Sequence, residues 1–202
     1  RNKKSALNDQ ILQVIKLRYS QLDLINTNFE SKNDFSFHIG NKFKVKNLAI
    51  NSSILIDSSQ FKKNDLISEN LIKINELIDL KNHRIKASYV DKKLSIEGKG
   101  QIKLQNKFEP INYKLINNGS DLNLVSNIEL SELDINNQSL IKEYLPKTKD
   151  ILNLKDHKIE LNYQDNILSL QGLGKVKLDK KLNKIEYFFS IKDKKYNFKT
   201  DL

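Results

Sequence analysis

One stretch of the chain occurs twice, and this internal repeat restricts the possible folds more than any other feature of the sequence. Residues 80–104 (LKNHRIKASYVDKKLSIEGKGQIKL) align without a gap with residues 154–178 (LKDHKIELNYQDNILSLQGLGKVKL), so that Leu80 corresponds to Leu154. Upstream, LAINSSILI (48–56) aligns in the same register with LNLVSNIEL (122–130). A fixed period, here ~74 residues, is typical of repeat proteins, in which each unit is one supersecondary structure packed against its neighbours.

The repeat divides the chain into four parts. We predict an N-terminal helix with leading strands at 1–47, a first unit at 48–121, a second unit at 122–195, and the first strand of a truncated third unit at 196–202. The chain opens at Arg1 rather than at a methionine, and no signal peptide is recognisable. No apolar run approaches the ~20 residues that a membrane helix needs. We therefore expect a piece of a longer protein whose anchor or export signal lies outside it.

Apolar and polar residues alternate within each unit. Ile85, Ala87 and Tyr89 alternate with polar residues, and so do their equivalents in the second unit. A period of two with one apolar side predicts antiparallel strands whose other face is wetted by solvent. Turn-forming residues separate these runs, which predicts about five short strands per unit; in the first unit the predicted turns lie at 90–93, 97–100, 105–110 and 117–121. The predicted fold is mainly β: an elongated, curled antiparallel sheet, shaped as an open groove or half-pipe.

Short helical inserts are predicted between the strands. Residues 62–79 place leucine and isoleucine at helical spacing, and the equivalent segment 137–154 is divided by Pro146 into two short pieces. Residues 4–24 resemble a further helix, or a helix that runs into a strand. Strand alternation resumes after it, from Phe35 to Val45, before the first complete unit begins.

The net charge of the chain is less informative about its partners than the magnitude of that charge suggests. There are 35 Lys and Arg against 25 Asp and Glu, a net charge of +10, but only three of the basic residues are arginines. Protein surfaces that bind nucleic acids favour arginine and aromatic side chains clustered on one face. The lysines of this chain instead alternate with apolar residues along the predicted strands. We therefore expect no nucleic-acid partner. The absence of cysteine excludes disulfides, thiolate metal sites and a cysteine nucleophile.

No group of residues predicts catalysis. His83 and His157 are repeat equivalents, and neither they nor His38 have carboxylates at a spacing typical of metal or acid–base sites. The glycines of GKG (98–100) and GLG (172–174) are followed by strand patterns, whereas a phosphate-binding loop is followed by a helix. We interpret them as turns or bulges with positive φ. We expect no enzyme activity, no cofactor and no metal.

The function is predicted from the apolar face that such a sheet leaves uncovered. Ten strands at ~4.8 Å spacing span on the order of 50 Å, and sheets of that width curl or split. The sequence supplies one short helical segment per unit and no second set of strands. Either acyl chains fill the resulting trough, or the helices and the curled sheet itself fill it, as in a structural scaffold or spacer. The predicted groove-lining residues are Ile85, Ala87, Tyr89, Leu94, Ile96, Ile102, Leu104, Ile111, Tyr113, Leu122, Leu124, Ile159, Leu161, Tyr163, Leu168, Leu170, Val176, Leu178, Ile185 and Tyr187.

These patterns also resemble a known family. Residues 35–202, with their repeated strands, their Gly-x-Gly segments and the Leu-Pro insert of LIKEYLPKTKD (140–150), resemble the β-rich region of AsmA-like proteins of the Gram-negative envelope. The resemblance implies a periplasmic segment of an inner-membrane-anchored protein, with an apolar groove that carries phospholipid toward the outer membrane. It also implies a phospholipid or other acyl-chain ligand, and contact with the membrane through parts outside this piece. The piece lacks the anchor helix of that family.

Overall fold

The described residues form one open sheet. A computed structural model describes residues 5–6, 24–62, 77–119, 121–136, 151–178, 181–193 and 195–201. They form 11 antiparallel strands in a single sheet, in which the strand order follows the order of the chain. The strands are β1 (Ser5–Ala6), β2 (Leu24–Ile39), β3 (Val45–Lys62), β4 (Leu77–Val90), β5 (Lys93–Lys103), β6 (Phe108–Asn117), β7 (Leu122–Asn136), β8 (Ile151–Gln164), β9 (Ile167–Leu178), β10 (Lys181–Lys192) and β11 (Lys195–Asp201). Because β1 and β11 stand at opposite ends of the order, the sheet is not closed. The predicted mainly β, antiparallel, elongated fold is confirmed.

The internal repeat is visible in the strands. In the alignment of the two units, the first and last residues of β4 correspond to those of β8, and the first residue of β5 corresponds to that of β9. Among the described residues, each unit contributes four strands rather than the five predicted. The difference arises at GKG (98–100), which lies inside β5, and at GLG (172–174), which lies inside β9. The predicted turn at 97–100 is therefore wrong, and two predicted short strands are one continuous strand.

Two-residue turns join equivalent hairpins in the two units. Asp91 and Lys92, between β4 and β5, have φ values of 50° and 65°. Asp165 and Asn166 occupy the equivalent turn, with φ of 52° and 59°. Two consecutive residues with positive φ match the right-handed twist of the flanking strands, and Asp and Asn tolerate this conformation. The predicted turn at 90–93 is confirmed.

A bulge interrupts both repeat units at the same place. In β4 the pairing with β5 shifts between Lys81 and Arg84, next to Asn82 with φ of 54°. In β8 the pairing with β9 shifts between Lys155 and Lys158, next to Asp156 with φ of 54°. A bulge adds one residue to a strand and reverses its alternation. Consequently residues three apart, such as Leu80 and His83, face the same side of the sheet.

The predicted helices fall mostly on residues outside the described ranges. Where parts of them are described, they are strand: 5–6 form β1, 62 belongs to β3, 77–79 to β4 and 151–154 to β8. The predicted limits of the inserts at 62, 79 and 154 are therefore wrong, and so is the N-terminal helix where it covers 5–6. Phe43, which we predicted in a strand, lies in a 3-10 turn at Asn41–Phe43. Within the described ranges, no helix has the length and apolar character needed to cross a membrane.

The best-packed part of the sheet lies in the second unit. Six buried apolar side chains from β7 to β10 form a contiguous cluster, which we call the unit-two core: Leu130, Leu133, Leu152, Leu154, Val176 and Ile185. Val176 is completely buried, at 0% exposure. Leu104 of the first unit packs against this cluster, so the two units share apolar contacts.

Candidate functional site

Cross-strand pairing brings five predicted groove residues together in a continuous row, with Leu115, which was not predicted, as the sixth member. Ala87 lies opposite Ile96, which lies opposite Leu115 on the next strand. Residues directly opposite each other share a face of the sheet. Leu115 pairs with Leu124, Leu124 with Tyr163, and Tyr163 with Leu168. We call these six residues the apolar row; it crosses β4 to β9 and, at ~4.8 Å per strand, is about 24 Å long.

Every member of the apolar row is half-buried, so that part of each side chain remains accessible to solvent. No described element lies over it, since every described strand belongs to the one sheet. A contiguous apolar strip of this kind is typical of interaction sites or ligand grooves. The strip therefore combines the two features that an acyl chain requires, an apolar surface and access from solvent.

The predicted groove residues do not all share this exposure. Ile102, Val176 and Ile185 are buried, at 7%, 0% and 9% exposure, whereas Leu122 is 40% exposed. All other predicted groove residues are half-buried. The predicted face therefore has two parts: an accessible part around the apolar row and a closed part around the unit-two core.

Each unit has one buried histidine on this face. His157 is 1% exposed. Its Nε2 lies 2.9 Å from the backbone oxygen of Lys175, and its Nδ1 lies 3.2 Å from the hydroxyl of Tyr187. A carbonyl can only accept, so Nε2 carries the proton and Nδ1 accepts from the tyrosine hydroxyl. Burial lowers the pKa of His157 below 6.5, and burial raises the pKa of Tyr187 to about 12.

The first unit repeats this arrangement. His83 is 2% exposed, and its Nε2 lies 2.9 Å from the backbone oxygen of Gln101. Its Nδ1 lies 3.4 Å from the hydroxyl of Tyr113. Burial lowers the pKa of His83 and raises that of Tyr113. All bonding positions of both imidazoles are occupied within the sheet, so the histidines hold strands together.

The repeated glycines leave room for these rings. A Cβ atom on Gly100 would collide with the imidazole of His83, and one on Gly98 would collide with the ring of Tyr113. Gly174 and Gly172 stand in the same relation to His157 and Tyr187. None of these four glycines has positive φ. Our interpretation as turns or bulges is therefore wrong: the glycines are strand residues over which aromatic side chains lie. The joint recurrence of His, Gly and Tyr in both units was the sequence signal from which this packing of rings over glycines could have been predicted.

Metal chemistry finds no support among the described residues. No group of three His, Cys, Asp or Glu side chains in these ranges could hold a metal ion. The three histidines of the sequence include two that are enclosed as described above, and His38 is exposed on β2.

The opposite face of the sheet contains a concavity that sequence reasoning missed. It has a volume of about 940 Å³ and is lined by residues of β2 to β7. Its charged lining residues include Arg84, Lys99 and the ion pair of Glu97 with Lys114. The cavity depends on which charges become neighbours across strands, and the alternation along a single strand does not show this.

Comparisons with known proteins identify no relative. No family model matches the chain, and neither curated proteins nor solved structures include a significant match. The functional interpretation therefore depends on the geometry of the two faces.

Proposed function

We propose that the accessible part of the apolar face binds the acyl chain of a lipid, as a non-enzymatic segment of a lipid-transfer groove. The observation that carries this proposal is the apolar row, which is continuous over six strands and partly accessible to solvent in every member. A bilayer core is ~30 Å thick, so one acyl chain extends about 15 Å. The row, at about 24 Å, is long enough to accept such a chain across the strands.

Binding would be passive. Each Å² of apolar surface removed from water contributes ~25 cal/mol, with no specific hydrogen bond required. The lipid head group would remain in water at the margin of the sheet, where Leu122 is 40% exposed. This mechanism agrees with the resemblance to AsmA-like proteins, from which we further propose a periplasmic location and carriage of phospholipid between the inner and outer membranes.

The unit-two core favours a second candidate function. Its six side chains are enclosed by protein, so this part of the sheet needs no ligand. A structural repeat scaffold would extend this closed packing to the whole apolar face. The two candidates differ at the apolar row, which a scaffold would cover with protein and a lipid groove with lipid.

Paired substitutions on β9 test the proposal. Leu170 pairs with Leu161 and Phe189 on the apolar face, whereas Leu173 pairs with Lys158 and Glu186 on the charged face. A fluorescent fatty acid should bind the unmodified chain, and Leu170→Asp should weaken binding about tenfold or more, a loss of ~1.4 kcal/mol. Leu173→Asp is the matched control and should leave binding unchanged.

Lipid extraction from the purified chain, followed by mass spectrometry, provides a second measurement. A photo-crosslinking residue at position 96, in the apolar row, should capture acyl chains, and one at position 173 should not. The lipid proposal is wrong if no lipid co-purifies and the probe does not bind. It is equally wrong if Leu173→Asp weakens binding as much as Leu170→Asp.

A further inference from the structure

The cavity on the face opposite the apolar row carries an excess of positive charge. Two carboxylates line it, Glu30 and Glu97, against five cationic side chains, which gives a net charge of +3. The cationic side chains are Lys32, Arg84, Lys86, Lys99 and Lys114. A concave surface lined by one sign of charge focuses the electrostatic field and concentrates counter-ions.

One row of the cavity is electrostatically balanced. Lys86 lies opposite Glu97, and Glu97 lies opposite Lys114 across three neighbouring strands. The Lys114 Nζ lies 2.6 Å from Glu97 Oε1, and this hydrogen bond holds the pKa of Glu97 below its ordinary value. In this row the carboxylate stands between two cations, so the sheet itself compensates their charge.

The neighbouring row places no carboxylate directly opposite a cation; its carboxylate, Glu30, lies opposite Leu55, two strands away from Arg84. Arg84 lies directly opposite Lys99, with Leu55 on one side of the pair and Asn112 on the other. No carboxylate of the described residues lies within 4.0 Å of either cation. Like charges placed directly opposite in a sheet destabilise it. A bound anion would remove this repulsion.

The repeat shows that the cationic pair is not a general property of this face. The second unit has Lys158 at the position of Arg84 and Leu173 at the position of Lys99, so the like-charge pair is absent. Lys86 corresponds to Glu160, and Lys114 corresponds to Phe188. The same strand arrangement therefore forms without the like-charge pair, which of the two units only the first contains.

We propose that Arg84 and Lys99, flanked by Lys86, bind the phosphate groups of a soluble, multiply charged phosphorylated ligand in this cavity. The guanidinium of Arg84 can bind a phosphate through two parallel hydrogen bonds, and the lysine ammonium groups act as point charges beside it. About 940 Å³ is within the range of small-ligand sites. A concavity of this volume can hold a soluble ligand, and a lipid head group is the alternative that the vesicle measurement below distinguishes. This site lies on the other face from the proposed acyl-chain site and does not depend on it.

Inorganic tripolyphosphate is the probe, measured by isothermal titration calorimetry on the whole chain. The unmodified chain should bind it, and Arg84→Gln combined with Lys99→Gln should weaken binding about tenfold or more. The control combines Lys158→Gln with Lys199→Gln, which removes the same charge from the second unit and the strand that follows it, and should leave affinity within about twofold of the original. Circular dichroism should show that the Arg84/Lys99 double variant stays folded, with a melting temperature no lower than that of the original chain.

Two outcomes would overturn the proposal. The first is that the unmodified chain does not bind tripolyphosphate. If in that case the chain sediments with phosphatidylglycerol vesicles, and only the Arg84/Lys99 variant loses this, the cavity contacts a membrane instead. The second outcome is that both double variants weaken binding equally, which would indicate attraction by net charge alone.

Discussion

The imidazole of His157 lies over Gly174 of the neighbouring strand, in the space that a Cβ atom would occupy. The same relation joins His83 and Gly100 in the first unit. Each histidine thus fills a gap in the adjacent strand and also closes a chain of hydrogen bonds from a backbone carbonyl to a tyrosine hydroxyl. Two positions that are usually interpreted separately, a histidine and a strand glycine, form one packing unit.

Substitution of Gly174 by alanine should therefore destabilise the protein. The added methyl group overlaps a buried ring that two hydrogen bonds hold in place, and overpacking of this kind costs about 1–3 kcal/mol. Chemical denaturation measures the loss as a reduced free energy of unfolding. Gly40→Ala is the control, because there the new Cβ would lie 2.9 Å from Cε of the flexible Lys46 side chain, which can move. Equal losses in the two variants would contradict the packing explanation.

Stability should depend on pH through the two buried histidines. Burial lowers the folded-state pKa of His83 and His157 below 6.5, so below about pH 6.5 the unfolded chain binds protons that the folded chain does not. Stability should fall as the pH decreases from 6.5, with a slope approaching about 1.4 kcal/mol per pH unit for each histidine, and should show no contribution from them above that pH. Urea titrations between pH 5 and 8 measure this slope. His83→Gln with His157→Gln should flatten it.

Tyr187→Phe should cost about 1–3 kcal/mol, because it removes the only described donor to Nδ1 of the buried His157. The raised pKa of Tyr187, about 12, keeps the hydroxyl protonated and able to donate at any ordinary pH. Thermal unfolding measures the change. Tyr163→Phe is the matched control, since the Tyr163 hydroxyl donates to Asn166 at an exposed position. A comparable loss in the control would indicate that the hydrogen bond to histidine contributes nothing particular.

Val176→Ala should destabilise the unit-two core by about 2–3 kcal/mol, because the side chain is completely buried and its removal leaves a cavity. Val45→Ala, at a position that is 58% exposed, should change stability by less than about 0.5 kcal/mol. Denaturant midpoints of the two variants provide the comparison. Because Val176 and Ile102 are buried, an aspartate at either position should unfold the sheet locally. Substitutions at such buried positions therefore cannot serve as tests of lipid binding. A Val176→Ala variant as stable as the original would mean that this core is loosely packed.

The fold class was predictable because two signals agree. Alternation with period two indicates strands, and the internal repeat shows that the same strands recur. The number of strands was not predictable in the same way. Gly98 and Gly100 are interpreted as turn residues when only their neighbours in sequence are considered, and their true partners, Tyr113 and His83, are distant in the chain. Tertiary contact therefore decided between turn and strand.

The two faces differ in how far sequence could predict them. Alternation identified the members of the apolar face, but it could not show which of them, such as Val176, would be buried and which, such as Leu124, would stay accessible. The pairing of Arg84 with Lys99 could have been predicted from the sequence. The turn at Asp91–Lys92 sets Val90 opposite Lys93, and counting back along both strands places Arg84 opposite Lys99. The bulge next to Asn82 comes only after that pair when one counts from the turn, so it does not disturb the count. The sequence of a single strand does not predict this bulge.

The four-strand composition of each unit has a geometric consequence. Four is even, so an antiparallel chain returns to its starting direction after every unit, and β7 runs the same way as β3. Equivalent residues therefore lie on the same side of the sheet, but they are shifted along the strands: the row that contains Ala87 reaches Tyr163, two residues from Leu161, the equivalent of Ala87. With five strands per unit, successive copies would have pointed in opposite directions, and the two histidines would have lain at opposite margins. Gene duplication of this segment can thus widen the sheet without inverting any of its surfaces.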